Sequence, residues 1–180
     1  MSVQPRTCMS RWKETAGHGC GEDSDASIVV LGLGNVLLGD DGLGVHVVDR
    51  LTPRFDASSD VRLVDGGTLG FSLLEIVEAA RVLIVVDAMA LDLPPGSVRL
   101  FVDGELDRFL AAPAQRSVHD VNLGDLLRMS ALRGMLPEHR VLVGVQPRSI
   151  DWRETPGESV SAGIDVACEK IRELITGWTS

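Results

Sequence analysis

Two adjacent carboxylates follow a glycine-rich turn early in the chain, and their types and spacing indicate cation chemistry. The segment Ile28–Gly44 reads IVVLGLGNVLLGDDGLG, a buried strand followed by a turn and the start of a helix. Turns of this kind normally bind phosphate on backbone N–H groups at the helix N-terminus. Asp40 and Asp41 would repel phosphate and attract a cation, and Leu37 stands where the dinucleotide fingerprint requires its third glycine. The segment therefore predicts a turn that binds a metal ion or presents carboxylates.

Asp87 and His119 are the other side chains expected at such a site. Asp87 ends an apolar run, and the segment Ser117–Asp120 has the pattern of a capping box at the start of a helix. Two carboxylates and an imidazole suit a divalent transition metal, with water in the remaining positions. We expect Asp40 to cap the first helix, which leaves Asp41 to point outward. Each ligand is expected at a solvent-facing end of an element. A simpler reading remains open, because an aspartate at a strand end is commonly a turn former.

The charge balance limits the classes of partner. The chain has 180 residues and a formal net charge of -9, which argues against nucleic acid or an anionic membrane as a partner. No apolar stretch approaches the roughly 20 residues needed to span a bilayer. The first 26 residues contain no apolar signal segment. We therefore expect a cytoplasmic protein.

The N-terminal segment differs in composition from the rest of the chain. Residues 1–26 are rich in serine, glycine and charge, which predicts a disordered tail, and residues 27–180 are expected to form one α/β domain. Three side chains of the tail are of zinc-binding types: Cys8, His18 and Cys20. Their spacing matches no closed structural zinc site and a fourth ligand is missing. Cys168 is expected to pack as a small apolar residue within a helix.

Strand and helix patterns alternate from residue 27 onward. Five short runs have the apolar composition of strands: Ile28–Leu33, Val61–Val64, Val82–Val86, Val98–Val102 and Val141–Val145. Alternation of this kind predicts a three-layer α/β/α sandwich around a mostly parallel five-stranded sheet. In a 2-1-3-4-5 strand order, Asp41 and Asp87 face one crevice beyond the carboxyl ends of the strands. The loop that carries His119 then closes over it.

Nucleophilic catalysis has little support in the sequence. The chain contains no G-x-S-x-G elbow, and none of its three cysteines has a recognisable activating partner.

Five motifs, taken in order, closely resemble the hydrogenase maturation endopeptidases. The motifs are Gly32–Gly44, Asp65–Thr68 (DGGT), Val85–Ala88 (VVDA), Ser117–His119 (SVH) and Val143–Pro147 (VGVQP). The resemblance runs from about Ile28 to about Ile175. It implies a five-stranded sheet enclosed by helices and a metal-contacting triad of Asp41, Asp87 and His119.

The resemblance also implies a substrate and a reaction. That family is made of aspartyl-type endopeptidases that remove the C-terminal extension from the precursor of the [NiFe] hydrogenase large subunit after nickel insertion. The nickel belongs to the precursor, other divalent metals can substitute for it, and the protease is expected to be a monomer. Position 41 is Asp, whereas many relatives carry Glu, so the reach to the metal is shorter by one methylene.

Two alternatives stay open at the level of sequence. The chain could be a nickel-binding chaperone or sensor of hydrogenase assembly without proteolytic activity, and trimming of a precursor separates the two. If it is a protease, either Asp41 or Asp87 activates the water as general base, or the substrate's nickel polarises the scissile carbonyl. A flavodoxin-like cofactor binder is disfavoured by the acidic turn.

Because the sequence offers no activated serine or cysteine, we expect acylating and thiol-alkylating reagents to leave precursor cleavage unchanged. Mass spectrometry of the precursor C-terminus, with and without reagent, checks this. The interpretation is wrong if a thiol reagent abolishes cleavage and the replacement of Cys8, Cys20 and Cys168 by serine makes the protein resistant.

Overall fold

The computed structural model describes residues 28–55, 60–68, 70–111 and 118–179, with the side chains of residues 118–122 outside the description. The predicted tail, its three potential zinc ligands and Ser117 lie outside the described residues. Among the residues that are described, no helix is both long and apolar enough to cross a membrane.

Five strands form one sheet, as the alternating pattern predicted. They are β1 (Ile28–Leu33), β2 (Val61–Gly67), β3 (Val82–Ala88), β4 (Val98–Val102) and β5 (His139–Val145). The strand order is β2-β1-β3-β5-β4. Only the β4–β5 pair is antiparallel, so the sheet is mostly parallel.

The expected 2-1-3-4-5 order is wrong in its last two positions. The connection from β3 to β4, residues 89–97, is shorter than the dozen or so residues that a parallel crossover requires, so β4 returns antiparallel. Every residue of β5 except the first is buried, which suits an interior strand, whereas only one residue of β4 is fully buried. Strand β5 therefore pairs with β3, and β4 becomes the edge.

Helices cover both faces of the sheet and confirm the three-layer architecture. They are α1 (Leu43–Leu51), α2 (Leu74–Glu78), α3 (Gly104–Ala111), α4 (Val118–Leu132) and α5 (Glu158–Thr179). One apolar core joins α1 and α5 to the sheet, and a second joins α2, α3 and α4 to the opposite face. Alternate residues of β1 and β3 enter the two cores, as the period of a strand requires.

Two glycines bring the start of α1 against the sheet where the strand order reverses. A Cβ at Gly44 would lie 2.3 Å from the carbonyl oxygen of Leu33 and 2.4 Å from that of Val86. A Cβ at Gly32 would lie 2.2 Å from the carbonyl oxygen of Gly44. Helix α1 thus begins in backbone contact with the ends of β1 and β3. This contact fixes the acidic turn that precedes the helix at the same edge.

Gly44→Ala is expected to destabilise the fold by about 3 kcal/mol, because overfilling a packed site typically costs roughly 1–3 kcal/mol and the obstructing atoms here are backbone. Gly177→Ala is the matched control in α5, since a Cβ there meets nothing within 4 Å. It should be neutral or stabilise by up to about 0.5 kcal/mol. Urea unfolding measures both, and equal stabilities of the two variants would contradict the close-packing argument.

Candidate functional site

Asp41 and Asp87 lie at the carboxyl edge of the sheet, on either side of the point where strand order reverses. Asp41 belongs to the short 3-10 turn Asp40–Gly42 between β1 and α1, and Asp87 is the next-to-last residue of β3. Strand β3 runs between β1 and β5, with Asp87 paired to Gly144. Ligands of open α/β sheets bind at this kind of position. The structure thus places both carboxylates at the edge that the sequence indicated.

Both carboxylates are buried, and the expectation that they face solvent is wrong. Asp41 is 6% exposed and Asp87 is 1% exposed. The N–H of Asn35 donates to Asp41 Oδ2 over 2.9 Å, and the N–H of Ala88 donates to Asp87 Oδ1 over 2.8 Å. The Asp41 backbone also packs closely on Gly34, where a Cβ would lie 1.9 Å from the Asp41 carbonyl oxygen. Backbone donors therefore hold both carboxylates in place.

Asp40 does not cap the first helix. The residues that precede the 3-10 turn and α1 are Gly39 and Gly42, and neither helix start has a side-chain cap. The Asp40 carboxylate is 0% exposed and accepts three backbone N–H groups of the β5–α5 connection. The donors are Arg148 (2.9 Å) and Ser149 (3.2 Å) to Oδ2, and Gly157 (2.8 Å) to Oδ1.

This role of Asp40 has no signal in the local sequence. Its hydrogen-bond donors lie 108, 109 and 117 residues further along the chain. The Arg153 guanidinium lies 3.7 Å from Asp40 Oδ1 and adds a cation to the same carboxylate. Asp40 is therefore the anchor that holds the β5–α5 connection beside Asp41.

Gln146 joins a second loop to the same edge. Its side-chain Oε1 accepts the N–H of Leu91 over 2.7 Å, and its Nε2 donates to the Pro147 carbonyl over 3.0 Å. The Gln146 backbone pairs with Ser97 and Gly96. The sequence placed Gln146 and Pro147 in the last of the five motifs and assigned Gln146 no role of its own. In the fold, Gln146 fastens the β3–β4 connection next to Asp87.

His119 is placed by its backbone alone. It is the second residue of α4, and its side chain lies outside the described residues. The C-terminal end of α4 precedes the first residue of β5, which lies at the amino edge of the sheet. The N-terminal end of α4, which carries His119, is therefore on the side of the carboxyl edge. Asp87 lies two residues beyond Val85 in β3, so it points to the face that α4 covers. The convergence of His119 with Asp41 and Asp87 stays a prediction.

A metal centre needs more than the described carboxylates. Among the described side chains, which do not include that of His119, no group of three or more His, Cys, Asp and Glu residues could hold a metal ion. Asp41 and Asp87 contribute one carboxylate each. Any further metal ligand must come from a side chain outside the described ones, from water or from a substrate. Asp65, at the same edge, is exposed and accepts the N–H of Gly67 over 2.9 Å, which is the bonding of a turn former.

Cys168 packs as a small apolar residue, as predicted. It lies in α5 against α1, with its Sγ 3.9 Å from the Val47 carbonyl oxygen. Burial raises the pKa of the Cys168 thiol. Because the thiolate is the nucleophilic form, this cysteine is unsuited to attack a peptide bond.

Asp40→Asn is expected to lower the free energy of unfolding by about 2–3 kcal/mol, because an amide has only one acceptor oxygen and its NH₂ group would face a backbone donor. This outcome differs from the behaviour of an ordinary helix cap, where asparagine substitutes well. Chemical denaturation, with hydrogen exchange at the amides of Arg148, Ser149 and Gly157, provides the measurement. Asp49→Asn, on the exposed side of α1, is the control and should change stability by no more than ~0.5 kcal/mol. Unchanged exchange in Asp40→Asn would show that Asp40 is not the anchor.

Comparisons with known proteins agree with the geometry. A family model described as hydrogenase maturation protease matches residues 45–177. The hydrogenase expression/formation protein HupD of Thiocapsa roseopersicina is 39% identical over 156 residues, covering 84% of this chain and 70% of the relative. The hydrogenase 2 maturation protease of Escherichia coli is 33% identical over 145 residues, covering 80% of this chain and 87% of the relative.

Solved structures show the same fold. The hydrogenase maturating endopeptidase HybD from E. coli superposes with a TM-score of 0.77 at 32% identity, covering 83% of this chain and 92% of that one. The [NiFe] hydrogenase maturation protease HybD from Thermococcus kodakarensis gives a TM-score of 0.71 at 27% identity, covering 82% and 98%. The family model, these relatives and these structures show that the chain belongs to the hydrogenase maturation proteases, a family of endopeptidases.

Proposed function

We propose that this protein removes the C-terminal extension from the precursor of a [NiFe] hydrogenase large subunit, and that it cuts only after nickel has been inserted. The observation that carries the proposal is the pair of buried carboxylates, Asp41 and Asp87, at the sheet edge of a chain that belongs to an endopeptidase family. Relatives named as hydrogenase maturation proteases support the choice of substrate.

The proposed role of the carboxylates is to contact nickel that the precursor carries. Asp41 and Asp87 supply oxygen donors, and His119 supplies an imidazole from the start of α4. Such a set with few protein donors binds nickel more weakly than a thiolate cage does, which suits transient contact with a loaded substrate rather than storage. Nickel is then part of the substrate, and the precursor that carries it supplies the remaining ligands.

The backbone hydrogen bonds explain how the Asp41 and Asp87 carboxylates keep their orientation before substrate binds. Asn35 and Ala88 orient the Asp41 and Asp87 carboxylates, so little reorganisation is needed when the metal enters. In the hydrolytic step, one of these carboxylates accepts a proton from the attacking water, or the precursor's nickel polarises the scissile carbonyl while the carboxylates hold the metal. Both routes require the two carboxylates to be held in fixed positions.

Purified protein mixed with nickel-loaded precursor is expected to release a short C-terminal peptide, and nickel-free precursor is expected to stay intact. Asp41→Ala, Asp87→Asn and His119→Ala should each lower cleavage by roughly 100-fold or more, since losses around a metal site typically reach 10–100-fold even for supporting residues. The mass of the precursor C-terminus gives the measurement, and Asp49→Asn is the control that should cleave like the wild type.

Two outcomes separate the competing functions. Nickel-dependent association with the precursor without any trimming would favour the chaperone or sensor function. Full processing by Asp41→Ala or His119→Ala would remove those residues from the site while leaving the family and the fold unaffected.

A further inference from the structure

Four exposed apolar side chains lie on two backbone-paired loops beside the carboxylate edge: Val36, Leu37, Ile150 and Trp152. We call them the apolar platform. Trp152 is 81% exposed, Ile150 53%, Leu37 51% and Val36 38%. Single exposed apolar residues are ordinary on protein surfaces, but a group that includes an exposed tryptophan is typical of a recognition surface.

Backbone pairing brings the two halves of the apolar platform together. The N–H of Gly39 donates to the Arg153 carbonyl over 2.8 Å, and the N–H of Arg153 donates to the Leu37 carbonyl over 3.1 Å. Isolated bridges join Leu38 to Arg153 in parallel and Gly39 to Ile150 in antiparallel fashion. The parallel bridge makes Leu37 and Trp152 neighbours across the pair. Two surface loops, far apart in sequence, thus form one surface.

The apolar platform is held in place before any partner binds. Gly39 adopts φ +62, and a Cβ there would lie 3.3 Å from Cβ of Arg153, so the two loops approach closely. Asp40 accepts N–H groups on both sides of the 150–153 segment. A surface that is already ordered loses less conformational entropy on binding than a flexible loop would.

The apolar platform is continuous with the candidate active site. The N–H of Asn35 donates to Asp41, and the Asn35 Oδ1 accepts the N–H of Leu37 over 3.0 Å. One asparagine therefore joins the buried carboxylate to the first half of the apolar platform. Exposed charged residues (Arg148, Asp151 and Arg153) alternate in the chain with Ile150 and Trp152, so the second half combines apolar and charged side chains, as binding surfaces commonly do.

We propose that the apolar platform is the subsite that binds an apolar stretch of the hydrogenase precursor next to the scissile bond. This inference rests on the proposed function and adds the chemistry by which the polypeptide, rather than its nickel, is recognised. Adjacency supports this occupant: residues 35–37 are hydrogen-bonded to the Asp41 carboxylate and paired with the 150–153 segment, so a precursor segment whose nickel contacts Asp41 would lie next to both. Aliphatic or aromatic side chains in that segment would cover Trp152 and Ile150 and hold the scissile bond at the carboxylates.

The test is steady-state cleavage of nickel-loaded precursor by the full chain and its variants, together with the dissociation constant of the precursor for each. Trp152→Ala should raise KM and the dissociation constant roughly tenfold, as for a central residue of an interface, and change kcat by less than about twofold. Ile150→Ala should act in the same direction, and Trp152→Phe should restore most of the affinity. These exposed substitutions should leave the melting temperature unchanged.

Leu132→Ala is the matched control, because Leu132 is 84% exposed at the far end of α4, near the opposite edge of the sheet. It should cleave and bind precursor like the wild type. A wild-type KM and dissociation constant for Trp152→Ala would overturn the subsite. So would a Trp152-dependent dimer seen by light scattering, or Trp152-dependent sedimentation with neutral lipid vesicles, in the absence of any effect on precursor binding.

The subsite and the proposed function fail in different ways. If the wild type binds precursor in a Trp152-dependent manner but never trims it, the subsite stands and the endopeptidase function of this chain falls. If the wild type trims precursor and Trp152→Ala trims it with unchanged KM, the function stands and the subsite falls. If the wild type neither binds nor trims any nickel-loaded precursor, both are overturned.

Discussion

The buried carboxylate of Asp40 is the interaction on which the rest of the site depends. A carboxylate without solvent contact must have its oxygens satisfied by donors inside the protein, and here the donors are backbone N–H groups of Arg148, Ser149 and Gly157. Hydrogen bonds to a charged group contribute about 1.5–3 kcal/mol each and are costly to leave unmade. One side chain thereby ties the turn after β1 to the connection after β5. These bonds act together with the backbone pairing of Leu37 and Gly39 with Arg153 to hold the two loops side by side.

The sheet supplies the geometry within which this anchor works. Gly44 packs closely on the ends of β1 and β3, which places the acidic turn at the edge where the strand order reverses. Asp87 lies near the end of β3, beside this turn. Gln146 fastens the neighbouring connection through the N–H of Leu91. Side chains and backbone from three separate connections therefore converge on one edge. Hydrogen bonds and packing therefore hold the two carboxylates in a fixed arrangement at this edge.

The buried carboxylates and the exposed apolar side chains are suited to different kinds of contact. The buried acids are suited to contact a cation, because they bring negative charge into a region of low solvent exposure. The exposed apolar residues beside them are suited to contact polypeptide, because they lose unfavourable contact with water when covered. Asp40 holds the connection that carries Ile150 and Trp152 beside the turn that carries Asp41. Under the proposed function, contacts with the precursor's nickel and with its polypeptide would therefore occur side by side.

The amino-acid sequence by itself determined the strands, the helices on both faces of the sheet, and the delivery of Asp41 and Asp87 to the same edge. These features depend on local apolar periodicity and on the rule that parallel strands end together. The motif order from the glycine-rich turn to Val143–Pro147 also indicated the family, which the comparisons show. Only the tertiary structure decided the positions of β4 and β5, the inward orientation of Asp41, and the partners of Asp40 and Gln146. It also brought Leu37 beside Trp152. The reason is that each of these depends on contacts between residues that are distant in the chain, and no local pattern of residue types records which distant backbone group a side chain will meet.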